Sequence, residues 1–112
     1  MTGWTGPTLP AGTLTFLFTD VEGSTRLWEE HPQAMRGVMA RHDALLTQVF
    51  ERHEGIVVRP RGEGDSLFCV FVRASDAVAA ALAGQRALLA EDWGIIGPLR
   101  VRMALLTGEA DL

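Results

Sequence analysis

The 112-residue chain contains no lysine and no asparagine, and all ten of its basic residues are arginine. Without lysine it cannot form a Walker A phosphate loop, whose chemistry requires one. A single cysteine, Cys69, rules out an internal disulfide and fits a reducing, cytoplasmic setting. No apolar run approaches the roughly 20 residues needed to span a bilayer, so no membrane association is expected. Residues 1–12 carry neither Lys nor Arg and no apolar stretch, so they do not read as a secretory signal. Basic charge is not in excess either. Ten basic against fourteen acidic residues leave a net charge of −4, which argues against a nucleic-acid partner.

What is present suits one globular domain: 47% hydrophobic and 21% charged residues. Residues 1–12, MTGWTGPTLPAG, are rich in Gly and Pro without periodicity and read as a flexible lead-in. Residues 13–112 form the domain. TLTFLFTD is rich in β-favouring residues, and its apolar side chains fall on both parities, as in a central strand covered on both faces. VEGSTRLW reads as a short loop with a helical turn, after which Pro32 opens a helix. Met35, Val38, Met39, His42, Leu45, Leu46, Val49 and Phe50 then recur at helical spacing through Arg52, and Gly55 ends the segment. IVVRP and SLFCVFV are two β-rich runs joined by Arg61-Gly62-Glu63-Gly64-Asp65, a glycine-bearing hairpin. Ser75 is expected to cap a further helix whose apolar face holds Val78, Ala81, Leu82, Gln85, Leu88 and Leu89. LRVRMAL alternates, with Leu99, Val101, Met103 and Leu105 inward and Arg100 and Arg102 outward.

The order β-α-β-β-α-β predicts an α+β, ferredoxin-like domain: an antiparallel sheet with its helices on one face. In that arrangement the first and third strands are central neighbours. The end of the first then lies beside the start of the third. Asp20 and Asp65, far apart in sequence, should therefore converge across strands about 4.8 Å apart. Two converging carboxylates repel unless a cation neutralises them, and hard oxygen donors suit Mg²⁺ or Mn²⁺. A two-metal carboxylate site activates an attacking oxygen and steadies a leaving phosphate. Beside Asp20, the loop Val21-Glu22-Gly23-Ser24-Thr25 could offer backbone N–H groups to a polyphosphate. A plainer reading stands beside this one: Asp20 as a strand-end turn former, Ser24 as a helix cap, Asp65 as a hairpin residue.

FTDVEGSTRLW, then RGEGDSLFCVF, then VRMALLTGEADL resemble the class III nucleotidyl cyclase catalytic domain, in the bacterial branch often fused to regulatory ATPase or transcription-factor modules. The resemblance runs from about Thr13 to Leu112. It implies that Asp20 and Asp65 bind two Mg²⁺ or Mn²⁺ ions with help from the Val21 carbonyl. It also implies that Glu22, Gly23, Ser24 and Thr25 lie along the triphosphate of ATP or GTP. The implied reaction is attack of the ribose 3′ oxygen on the α-phosphate, giving the 3′,5′-cyclic nucleotide and pyrophosphate in intracellular signalling. The implied partner is a second cyclase domain, as in a head-to-tail homodimer.

Several positions depart from the family pattern. Arg61 stands where the base-selecting Lys is usual, and a planar fork does not reproduce an ammonium. Glu63 adds negative charge where an apolar residue is common, and Leu106 stands where related bacterial sequences often carry His. The segment that supplies the family's transition-state Asn and Arg is expected to follow Leu112, so no catalytic residue of that kind is identified. A catalytically degenerate copy, serving as a nucleotide-binding or dimerisation module, is the alternative expectation.

Other signals are weaker. Gly62-x-Gly64 lacks both the third glycine and the helix of a dinucleotide fingerprint. His31, His42 and His53 recur every eleven residues, about 16 Å apart along a helix, too far to share one metal. His42 and Cys69 read as core residues, and Trp28 and Trp93 as packing aromatics.

Overall fold

A computed structural model of the chain describes residues 10–58 and 66–111. Strand β1 (Ala11–Val21) leads through helix α1 (Ser24–Glu30) into helix α2 (Pro32–Arg52). Strands β2 (Ile56–Val58) and β3 (Phe68–Phe71) follow, then helix α3 (Ala74–Ala90), a 3-10 turn (Gly94–Ile96) and strand β4 (Val101–Asp111). The sheet order is β2-β3-β1-β4, with every neighbouring pair antiparallel. The expected ferredoxin-like topology is therefore present, with β1 and β3 side by side. Of the lead-in expected over residues 1–12, residues 1–9 lie outside the described residues, as do the hairpin residues 59–65. Ala11 and Gly12 are corrected to strand: they open β1 and pair with Asp111 and Ala110 of β4.

Alternation along β1 divides the sheet into two faces. Leu17 and Val21 join α2 and α3 in the main core, together with Cys69, Phe71 and Val101. Leu14 and Phe16 point to the opposite face, where they cluster with Val70. On that open face Phe68 stacks on Phe16 (ring centroids 5.6 Å) and tilts against Phe18 (5.0 Å). Helix α2 supplies the largest block of the core. All eight residues of its expected stripe are buried, from Met35 to Phe50. Full burial of an aliphatic or aromatic side chain contributes about 1.5–3 kcal/mol, so this one stripe is a main source of stability. Cys69, on β3, packs in the same core, and burial pushes its thiol pKa up to about 12. His42 is fully buried too. Its Nδ1 lies 2.8 Å from Asp43 Oδ1, while Nε2 has no hydrogen-bond partner among the described residues.

Several local expectations are corrected. VEGSTRLW is largely helix: α1 spans Ser24–Glu30 and sets Leu27 and Trp28 against the main core. Ser75 does not cap α3. The cap position is Arg73, in extended conformation and without a side-chain bond. The buried face of α3 is Ala77, Ala80, Gly84 and Leu88, whereas Val78, Leu82 and Leu89 are exposed. Close approach explains the reversal. A Cβ on Gly84 would stand 3.2 Å from Leu46 Cδ2, Met103 Cε and Phe50 Cε1, so the contact selects small residues over bulky ones. Leu105 was expected inward and is exposed. Gly84 meets Met103, and Gln85 donates to the Val101 carbonyl (2.8 Å), so α3 covers the other end of β4.

Gly55 does not provide the left-handed turn that ends α2. That conformation belongs to Glu54 (φ 71°). Gly55 N donates to the Phe50 carbonyl (2.9 Å) and Glu54 N to the Glu51 carbonyl (3.2 Å), the paired bonds of a Schellman ending. Glycine is required at 55 because the chain there presses on β3, where a Cβ would meet Cys69 and Phe71 within 3 Å.

Candidate functional site

The end of β1 is pinned on both sides. Toward β3, Thr19 N donates to the Leu67 carbonyl (3.0 Å), and Leu67 N donates back to the buried Thr19 Oγ1 (2.9 Å). Toward β4, Asp20 stands opposite Arg102 and Val21 opposite Val101, and Glu22 N donates to the Arg100 carbonyl (2.8 Å). Backbone groups alternate sides along an antiparallel strand. Bonding of Thr19 toward β3 and of Glu22 toward β4 thus aims the Val21 carbonyl to the β3 side. The Asp20 side chain, one parity away from buried Thr19, emerges on the open face.

There the Asp20 carboxylate is more than half exposed, and its Oδ2 accepts a hydrogen bond from Arg102 Nη2. Oδ1 accepts none among the described residues. This contact escapes a reading of the sequence. Outward-facing Arg100 and Arg102 were legible, but their partners depend on the β1–β4 register.

Gly23 turns the chain from strand to helix. Its φ of 68° is left-handed, open to glycine at no steric cost, and it occupies the cap position of α1. Ser24 is therefore the first helical residue rather than the cap. The first helical bond runs from Leu27 N to the Gly23 carbonyl (3.0 Å), and no side chain caps the helix. Glu22 and Thr25 are exposed, while Ser24 is half-buried. A cleft of about 430 Å³ opens beside this turn, lined by Glu22, Gly23, Arg26, Leu27, Pro98 and Arg100 among others. Arg26 and Arg100 thus place two arginines in the lining of the cleft beside the loop expected to meet phosphate. Sequence reasoning missed both. Arg26 also lies 3.9 Å from Glu30, one turn on in α1.

Asp65 and Arg61 lie outside the described residues. The Thr19–Leu67 bonds do bring the chain just after Asp65, at Ser66 and Leu67, alongside the end of β1. Among the described residues no three His, Cys, Asp or Glu side chains group to hold a metal. What Asp20 offers is a hard oxygen donor with one oxygen unpartnered among the described residues, beside a backbone carbonyl aimed to the same end of the sheet. Those donors fit one side of a Mg²⁺ or Mn²⁺ site. Leu106 lies opposite Phe16 on the open face and is exposed. Among the described residues no helix is long and apolar enough to cross a membrane.

No protein-family model matches the chain. An uncharacterized protein of Mycobacterium tuberculosis is 43% identical over 103 residues, covering 92% of this chain and 34% of that protein. The adenylate cyclase of Neurospora crassa is 36% identical over 84 residues, covering 75% of this chain but 4% of the fungal protein. Among solved structures, an adenylate cyclase from Trypanosoma brucei in its monomeric state superposes with a TM-score of 0.83 at 27% identity. That alignment covers 94% of this chain and 60% of the trypanosomal one. The chain thus spans about a third of the mycobacterial relative's length.

Proposed function

The chain belongs with the adenylate and guanylate cyclase catalytic domains, and from that premise we propose that it binds ATP or GTP through two divalent cations held at the end of β1. The observation that carries this reading is Asp20. It is an exposed carboxylate whose Oδ1 has no partner among the described residues, set by the β1 register beside a glycine turn with no side-chain cap. In this reading Asp20, Asp65 and the Val21 carbonyl hold two Mg²⁺ or Mn²⁺ ions. The ions, when bound, would polarise the ribose 3′ oxygen and neutralise charge developing on the phosphates. Glu22, Gly23, Ser24 and Thr25 lie along the triphosphate. Gly23 presents backbone without a side chain, so phosphate can come close to the chain there. Arg61 contacts the base in place of the usual lysine. The reaction is cyclisation of ATP or GTP with release of pyrophosphate, performed with a second cyclase domain in a head-to-tail pair. Any ATPase or transcription-factor module in the parent protein would be the signalling partner.

The departures from the family pattern at Arg61, Glu63 and Leu106 favour a second reading, a catalytically degenerate copy that binds metal and nucleotide without turnover. Calorimetry with Mn²⁺ and a non-hydrolysable ATP analogue tests the binding reading. Asp20→Asn and Asp65→Asn should each remove most of the metal-dependent affinity, and unchanged binding in both would reduce the pair to turn residues. A cyclisation assay then separates enzyme from module. Cyclic nucleotide formed only on mixing with a longer homologue lacking its own metal aspartates marks a half-site, and silence in the mixture marks the module.

A further inference from the structure

We propose that Arg102 is a resident counter-ion of Asp20, a competitor that a divalent cation displaces when it takes the carboxylate. The inference rests on the reading of Asp20 as a metal ligand. Asp20 and Arg102 are register partners on adjacent strands and share the open face of the sheet. Arg102 Nη2 donates to Asp20 Oδ2, and the contact is single rather than forked. A guanidinium stays charged at every pH a folded protein meets, so this competitor cannot be titrated away. It acts twice: it occupies a ligand oxygen, and its positive charge opposes an approaching cation. The pair is also dispensable to the fold. Side-chain exposures of 67% and 56% leave it largely in water, where ion pairs contribute little and loosen readily. Arg102 is thus strong enough to tune metal affinity and too weak to prevent binding.

Charge around the pair reinforces the point. Glu22 pairs through its backbone with Arg100, two residues from each member of the first pair. Glu22 and Arg100 are both exposed, so this end of the β1–β4 pair carries a second carboxylate and a second guanidinium. A cation bound at Asp20 faces Arg102 directly, with Arg100 as the next positive charge along β4.

The test is calorimetric titration of the full chain with Mn²⁺ alone, without nucleotide, at low salt. Arg102→Met should bind Mn²⁺ more tightly than wild type by up to about five-fold, the upper end of what an exposed ion pair contributes. Raising NaCl should shrink that gap, because salt screens the pair in the wild type only. Arg102→Lys, which keeps the charge, should stay close to wild type. Thermal melts give an independent readout: Mn²⁺ should raise the melting temperature of Arg102→Met more than that of wild type. Equal or weaker Mn²⁺ binding by Arg102→Met, with binding still lost in Asp20→Asn, overturns the competitor role and leaves the metal site standing. Unchanged binding in Asp20→Asn would instead overturn the metal reading itself, and this inference with it.

Discussion

A methyl group at Gly55 tests how closely the α2–β2 connection sits on the sheet. An alanine Cβ there would stand 2.6 Å from Cys69 Sγ, 2.7 Å from Phe71 Cζ and 2.8 Å from Phe71 Cε2. Carbon atoms settle at about 3.5–4.0 Å from their neighbours, so three contacts would each be short by roughly 1 Å. Neither neighbour has room to yield, since Cys69 and Phe71 are both fully buried. Overpacking of this kind costs about 1–3 kcal/mol. For a domain of this size 1 kcal/mol moves the melting temperature by about 4 °C, so Gly55→Ala should lower it by about 4–12 °C. Thermal melts followed by circular dichroism would read the shift. Gly37→Ala is the control: that position has nothing within 4 Å and lies inside α2, so alanine should stabilise by about 0.5–1 kcal/mol. Adding Cys69→Ala to Gly55→Ala should recover part of the loss, because it removes one clashing atom. A Gly55→Ala chain melting at or above wild type would refute the packing argument.

Two further outcomes follow from side chains away from the site. Glu54 holds a left-handed φ of 71° at an exposed position, so Glu54→Gly should raise stability by up to about 1 kcal/mol in a denaturant melt. Arg41 donates to both carboxylate oxygens of Glu91 (2.9 and 3.0 Å), tying α2 to the end of α3, and the hydrogen bond holds the Glu91 pKa below its ordinary value. A lowered carboxylate pKa stabilises the fold above the unfolded value, and that stability is lost as pH falls through the folded one. The melting temperature of Arg41→Met should therefore lie below wild type at pH 7, and the difference should close as the pH drops below about 4. A difference that persists at acid pH would assign the effect to lost packing instead.

Much of this fold is legible in the sequence because long periodic segments leave little choice. The α2 stripe from Met35 to Phe50 is buried as its spacing predicts, and the β-α-β-β-α-β order leads directly to the observed strand neighbours. Asp20 is legible as a strand-end carboxylate. Less was readable where small residues decide. Helix α3 turns Ala77, Ala80 and Gly84 inward and leaves Leu82 and Leu89 in solvent, because closeness of approach outweighs side-chain hydrophobicity there. Helix α1 was obscured by its shortness and by a glycine cap. The Asp20–Arg102 and Glu22–Arg100 pairings required the β1–β4 register, which no local pattern encodes. Gly55 looks like a helix stop by its position, yet its neighbour Glu54 takes the special backbone conformation and Gly55 answers to packing.

The placement of Asp20 shows how an exposed site residue is held without a buried network of its own. Its one hydrogen bond among the described residues, to Arg102, is exposed and too weak to fix a carboxylate. Direction comes instead from the strand. Leu17 and Val21 bury one parity of β1, and Thr19, between them, accepts a hydrogen bond from Leu67 N with its side chain buried. A slip of one residue would drive Asp20 into the core and lift Thr19 and Val21 out, at the cost of desolvating a carboxylate without a partner. The register that protects the core therefore also aims the carboxylate. The side chain stays in solvent while the backbone beneath it remains rigid, the condition for a ligand oxygen to bind cations reversibly from a fixed position.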